Sequence, residues 1–355
     1  MFILNRTELQ SDFYKRYGVS KNRLVFSKAG LLCTLLGHSE IENSEFMSCT
    51  LSMCVKTAGR MLASNAVNLE NTQTGICSVI QTADIASHNK HLYDIVQKFG
   101  HIRPFGAEIL YDSSIPEFLP HNIALRISVL NTLLKIADTE MPPAQKVQLC
   151  AHSHNPAPYI AVMNSRHGWC SSVRGLECTN FPLPLTGYKI LIVQSRTAKP
   201  DNHAAVTATA FKKLRHIYPH VTSFNDITSD MLDYAHTKLK NPEIKYARHI
   251  ISENERIILA KAVLKMCRIK DFAKLVNDSQ KSIERLWGCK GEHTFLVNKI
   301  CENPSCLCAR KWRNGIFAIV EDGSEDGIIN ILRHDFNSRC GYFPHFCIAD
   351  TGGTE

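Results

Sequence analysis

The sequence predicts a mixed architecture, α+β or α/β, with room for two domains, and three observations carry that expectation. Apolar runs of strand character alternate with segments of helical period along the whole chain. No repeat or low-complexity segment interrupts them. With 355 residues and 44% hydrophobic content, the chain can bury a sizeable core.

Taken in order, Leu9 to Tyr17 reads as a short amphipathic helix, Leu24–Phe26 and Leu31–Leu36 as strands, and Glu45–Val55 as another strand. A helix is expected at 91–99 and a short strand at Glu108–Tyr111. After the proline-bounded stretch Pro116–Pro120, Leu125, Val129, Leu133 and Ile136 recur at helical spacing, so Ile123–Ala137 should be a core-facing helix. Pro142 and Pro143 restart helical structure before Ala144–Ala151. The turn-rich PLPLTG at Pro182–Gly187 is the best domain boundary, which divides the chain into 1–185 and 186–355. The strand Lys189–Gln194 follows it. In the second half, Ala247, Ile251, Ile258 and Ala262 mark one face of a helix over Ile244–Cys267, and Phe272, Leu275 and Val276 open the next. Ile316–Val320 and Phe346–Ala349 return to strand character, with EDGSEDG at Glu321–Gly327 as a solvated hairpin or helix start.

Composition narrows the function classes. The net charge of +8 is modest for this length and the basic residues are scattered, which argues against a nucleic-acid partner. No apolar run approaches membrane-spanning length, and Phe2–Leu4 is too short for a signal-peptide core, so a cytoplasmic protein without a membrane segment is expected. The 14 cysteines are spread over a long chain and read as reduced, mostly buried thiols. Cys301, Cys306 and Cys308 cluster, with Cys289 upstream, but C-x4-C-x-C fits tetrahedral zinc poorly, and no metal site is expected.

Two segments carry a resemblance. Lys28 to Ile41 reads KAGLLCTLLGHSEI, and Ala247 to Ile257 reads ARHIISENERI. The second resembles the galactokinase pattern ARHVVxENxRV, and the first is similar to APGRVNLIGEHTDY of the same family and its GHMP relatives. Weaker matches run in the same order from Asp12 to about Ala349. The resemblance implies the GHMP kinase fold: an N-terminal domain of mixed sheet and helices and a C-terminal ferredoxin-like domain, two lobes around a central cleft. It also implies ATP-dependent phosphorylation of galactose at the anomeric hydroxyl, with ATP and Mg as cofactors.

The residues that the resemblance assigns to chemistry are largely replaced. Gly30 and His38 match, but Glu40 stands for the aspartate, Gly37 for the glutamate and Leu31 for the catalytic arginine. Where the family has PxGxGLSSSAAL to wrap the phosphates, this chain has Pro116-Glu-Phe-Leu-Pro-His-Asn-Ile-Ala-Leu125. No glycine or serine remains there, Pro120 lacks an amide donor and Glu117 adds negative charge. Asn122, read as a helix N-cap, is the one residue keeping phosphate-compatible chemistry. Asn164 in AVMNS takes the place of the aspartate beside the anomeric hydroxyl, and an amide cannot accept its proton. His152 and Ser153 stand where the family has Glu-Asn. The glycine-rich MTGGGFGG becomes Ala309-Arg-Lys-Trp-Arg-Asn-Gly315, and the tyrosine expected near 200–202 is missing.

The expectation is therefore a galactokinase-like protein, inactive or severely impaired as a kinase, with a sugar-binding or regulatory role. Its candidate sugar contacts are His38, Glu40 and Asn164, and its partners would be galactose or a related hexose and, for a regulatory role, another protein. The alternative is an active sugar 1-kinase whose phosphate site is rebuilt from residues such as Lys28, Arg126, Arg166 or Arg313. Lys311 and Arg313 read as an exposed turn or as an anion site. The charges of ARHIISENERI read as a solvated helix face, and Asn254 as a residue hydrogen-bonded to a buried backbone group.

Overall fold

The computed structural model describes residues 5–64, 66–81, 92, 94–97, 99, 106–151, 154–196, 202–288 and 291–354. His152, Ser153, Cys289 and positions 200 and 201 fall outside them. Of the helix expected at 91–99, the described positions are helical. By contacts the chain groups into two compact units, the first made of Met1–Leu32, Thr50–Ser165 and Gly352–Glu355, the second of Cys33–Cys49 and Arg166–Thr351. The units are discontinuous in sequence: 33–49 and 166–185 group with the second half.

Two long strands, β1 (Val25–Gly37) and β2 (Phe46–Leu62), are buried along most of their length instead of alternating. That is why the sequence shows continuous apolar runs there. In the first unit β2 pairs antiparallel with β5 (Gly106–Ser113), from Val55↔Ser113 to Leu62↔Gly106. Strand β3 (Ala66–Asn71) runs parallel to β5 and forms a hairpin with β4 (Cys77–Gln81). Helix α1 (Arg6–Tyr17) opens on an Asn5–Glu8 capping box and sets Leu9 and Phe13 against Ala58 and Leu110. Its C-terminal carbonyls at Tyr17 and Gly18 accept from Arg60, which also pairs with Glu108 directly across the strand pair.

Helix α2 (Asn122–Ile136) is buried on almost every side, and Thr57 reaches it through Ser128 Oγ at 2.9 Å and Thr132 Oγ1 at 2.6 Å. Helices α3 (Pro143–Ala151) and α4 (Ala157–Met163) complete this unit.

In the second unit, β6 (Trp169–Arg174) pairs with the start of β2 and with β7 (Glu177–Pro182). A separate antiparallel sheet has the order β11-β8-β10-β9, from β8 (Tyr188–Gln194), β9 (Cys306–Trp312), β10 (Gly315–Glu321) and β11 (His345–Ala349). One face of it, through Leu191, Ala309, Ala318 and Val320, packs on α9 (Glu292–Cys301) and α10 (Glu325–Cys340). EDGSEDG is thus a turn followed by a helix start.

The remaining helices are α5 (His203–Ile217), α6 (Ser229–Ala235), α7 (Asn241–Lys265) and α8 (Ile269–Ser282), the last continuing as a π-helical turn, Ile283–Trp287. The buried face of α7 corrects the sequence reading. Ile258 and Ala262 are exposed, while Ala247, Ile250, Ile251, Ile257, Ala260 and Leu264 face inward. A period of 3.6 over this length carries the stripe to Ile257 and Leu264, one residue before and two after the expected positions.

Candidate functional site

The end of β1 turns through Gly37 at φ +69, and a Cβ there would lie 2.6 Å from the Glu45 carbonyl oxygen, so the position requires glycine on both counts. Its backbone is clamped from two sides. The Gly37 amide donates to Glu253 Oε2 at 2.8 Å, and the Gly37 carbonyl accepts from Arg310 Nη2 at 2.7 Å. Alternation along β9 puts Arg310 on the face opposite Ala309, away from the α9/α10 core. There it meets Ser279 of α8 through Nε at 2.7 Å and Glu253 of α7 at 3.4 Å. Glu253 also accepts from Ser279 Oγ and Arg256.

Glu253 and Arg310 are 0% and 2% exposed, so each charge depends on the other for its solvation. Burial opposes ionisation of the Glu253 carboxyl, but the guanidiniums of Arg310 and Arg256 help outweigh it, and its pKa is lowered to about 2. Expecting ARHIISENERI to display a solvated charged face is therefore wrong for Glu253, which is the most interconnected side chain of that segment.

His38 follows directly. It is buried, stacks on Trp287 with centroids 4.5 Å apart at 13°, and its Nε2 lies 2.8 Å from His249 Nε2. His249 Nδ1 in turn lies 2.8 Å from Ser282 Oγ. Burial pushes the His249 pKa well below its ordinary value, so this imidazole is neutral at physiological pH. The other ring nitrogen of His38, Nδ1, faces Glu40 Oε1 at 3.2 Å. Trp287 is enclosed further by His203 and Tyr246. Glu40 is 62% exposed and is the member of this group that can still turn toward a ligand. Chemically, the arrangement offers a hydrogen-bonding carboxylate beside an imidazole whose orientation is fixed on both nitrogens and one face.

Galactokinase of Clostridium acetobutylicum is 25% identical over 296 residues, 75% of each chain, and that of Exiguobacterium sibiricum is 23% identical over 384 residues, covering 97% of this chain and 96% of its own. The solved structure of Lactococcus lactis galactokinase complexed with galactose superposes with a TM-score of 0.85 at 17% identity, over 98% of this chain and 99% of that one. The chain is similar to galactokinases along most of its length and shares their fold. The Methanococcus jannaschii mevalonate kinase has the same fold more distantly, with a TM-score of 0.66 at 11% identity and 94% of this chain covered. No protein-family model matches the chain.

Set on this galactokinase fold, the sequence candidates fall in different places. His38 and Glu40 lie together in the second unit, joined through Nδ1 as described. Leu31, at the arginine position, belongs to the first unit and is 2% exposed within β1. Its neighbour Gly30 packs so closely on β2 that a Cβ would meet the Leu51 carbonyl oxygen at 2.8 Å. Asn164 is exposed at the C-cap of α4, with Nδ2 donating to the Ile160 carbonyl at 2.9 Å.

Asn122 is not the N-cap that the sequence suggested. It is the first residue of α2, and His121 occupies the cap without a side-chain hydrogen bond. A turn closed by Leu119 N to Pro116 O places the helix start one residue earlier than the capping pattern implied. Asn254 is corrected as well: it is 6% exposed, yet among the described residues neither side-chain polar atom has a hydrogen-bond partner, where a bond to backbone was expected.

Arg313 is the first residue of a two-residue hairpin turn, with Trp312 and Gly315 paired across it and φ +53. Arg126 is buried at 2% exposure, near Cys150 and Tyr159. Of the cysteine cluster, Cys308 is buried and Cys306 half-buried in β9. Among the described residues no group of three or more His, Cys, Asp or Glu is placed to hold a metal ion, and no helix is long and apolar enough to cross a membrane.

Glu253, Arg310 and Trp287 are the residues that sequence reasoning missed. The glutamate shared by ARHIISENERI and the family pattern ARHVVxENxRV was a signal for Glu253.

Proposed function

We propose that this member of the galactokinase family binds a hexose, galactose or a close relative, and transfers phosphate to it poorly or not at all. The observation that carries this reading is the Arg313–Asn314 turn. Where the family resemblance calls for a glycine-rich segment of bare backbone, β9 and β10 join through two residues with Trp312 and Gly315 already in register. A phosphoryl group in transfer has to be held by donors preorganised around its developing charge. A two-residue turn with an arginine at positive φ leaves no loop to supply them.

The residues at the family's phosphate-handling positions do not fit ATP and Mg. The Pro116–Pro120 stretch has no glycine, carries Glu117, and leads into a helix whose cap residue, His121, makes no side-chain capping hydrogen bond. At the acceptor, Leu31 supplies no charge and Asn164 cannot take a proton. Removal of such groups costs roughly 10²- to 10⁴-fold in rate each.

Retention of the sugar is supported by the fixed geometry of His38 and the adjacent exposed carboxylate of Glu40. The Lactococcus lactis relative was solved with galactose. A thermal-shift screen over a hexose panel tests the binding half of the proposal. A sugar that binds the folded state raises the Tm in a concentration-dependent way, and Glu40→Ala should abolish that response. A full panel without any shift would refute sugar binding.

A further inference from the structure

A cavity lies wholly within the second unit, away from His38 and Glu40 in sequence and built mainly on α5. It encloses about 1020 Å³ and is floored by Phe211, Ile217 and Pro219. Three exposed cations, Lys212, Arg215 and Lys238, stand in its wall. Lys213 also lines it, but its ammonium is held by both oxygens of Glu243 at 2.7 Å. None of the other three cations pairs with a carboxylate among the described residues, and no acidic residue lines the cavity.

We propose that this groove docks an acidic, amphipathic peptide segment of a partner protein, with apolar side chains on the Phe211–Ile217 floor and carboxylates toward Lys212, Arg215 and Lys238. The structure favours this occupant over a compact phosphate for two reasons. The cations sit on long, exposed side chains around an open apolar floor, whereas a compact anion is held by converging backbone donors. Arg215 also lies in the last turn of α5, where the helix terminus carries partial negative charge that disfavours a small anion pressed against it. An extended segment avoids both obstacles, because it spreads its charges over the rim and spends its apolar side chains on the floor. The size of the groove is at the upper end for small-molecule sites, which run to roughly 1,000 Å³.

The test uses the full chain and a fluorescein-labelled peptide of roughly ten residues alternating Asp or Glu with Leu or Phe, long enough at about 3.3 Å per residue to span the groove. Anisotropy should report saturable binding that weakens as salt is raised. Lys212→Glu/Arg215→Glu/Lys238→Glu should weaken it at least about tenfold. The milder Lys212→Gln/Arg215→Gln/Lys238→Gln guards against misfolding and should weaken it in the same direction.

Absence of binding, or binding unchanged in the glutamine variant, overturns the proposal. So does displacement of the peptide by inorganic phosphate at matched charge, or tighter binding of a single-stranded oligonucleotide than of the peptide. Both variants should keep the hexose thermal shift, so this proposal and the sugar-binding reading can fail separately.

Discussion

Around Gly37, burial and polarity are matched: the Glu253 carboxylate takes an amide, a hydroxyl and two guanidiniums, and Arg310 spends its donors on Glu253, Ser279 and the Gly37 carbonyl. At the Pro116–Asn122 turn and the Arg313–Asn314 hairpin, sequence and geometry are those of ordinary turns, with a carboxylate, prolines and bulky cations, and on the proposed reading neither holds a phosphate. Both regions answer to the same family pattern, but they satisfy different requirements. The first is a condition for folding, since a buried charge without its partner is expensive whatever the protein does. The second is a condition only for catalysis, and turns without glycine fold well.

The largest expected effect comes from breaking the first region. Glu253→Ala leaves Arg310 buried and uncompensated and should destabilise the protein by about 3–5 kcal/mol. Denaturant unfolding with an unchanged m-value would measure it. A loss below about 1 kcal/mol would show that the clamp is solvated or dispensable.

Two fully buried groups of this region, among the several with depressed folded-state pKa values, should shape the pH dependence. The unfolded His249 titrates near 6.5, well above its folded value, so its contribution is complete above that pH and is lost as pH falls through the acid side. The unfolded Glu253 titrates near 4.3 against about 2 in the fold, so its contribution is present above about pH 4.3 and is lost as pH falls toward 2. Stability should therefore decline in two stages, the first beginning near pH 6.5 at up to roughly 1.4 kcal/mol per pH unit. His249→Gln should reduce the first stage, to which the half-buried His293 also contributes, and leave the second. A variant with the full two-stage decline would assign the first stage to another group.

The smallest effect should come from restoring single chemical groups in the second region. Leu31→Arg inserts a cation at a position 2% exposed and should cost stability before it helps chemistry. Asn164→Asp is exposed and should change stability by less than about 0.5 kcal/mol. It should leave ADP release at background, because the phosphate has still gained no donors. Activity restored by Asn164→Asp alone would show that the acceptor side was the single missing part.

Much of the framework was legible in the sequence because it is local. The period of Leu125, Val129, Leu133 and Ile136 gave α2, and the apolar runs gave the buried lengths of β1 and β2. Strands such as β3, β7 and β9 were not, because their residues mix polar and small side chains and owe their form to pairing partners. The site divides in the same way. That Leu31, Glu40 and Asn164 stand where the family pattern has an arginine and two aspartates could be read from motifs alone. The Glu253–Arg310 pair joins residues 57 apart, and Gly37 lies 216 residues from Glu253, so neither contact leaves a periodic signal. His38 could be proposed as a sugar contact, but its stack on Trp287 needed the π-helical turn that sets Trp287 beside it.

The central claim, recognition without transfer, is met most directly by a coupled ADP-release assay with Mg-ATP and the hexose that gives the largest thermal shift. Release should be indistinguishable from a sugar-free control at saturating hexose. Hexose-dependent, saturable turnover would contradict it and would mean that the phosphate site has been rebuilt from other residues.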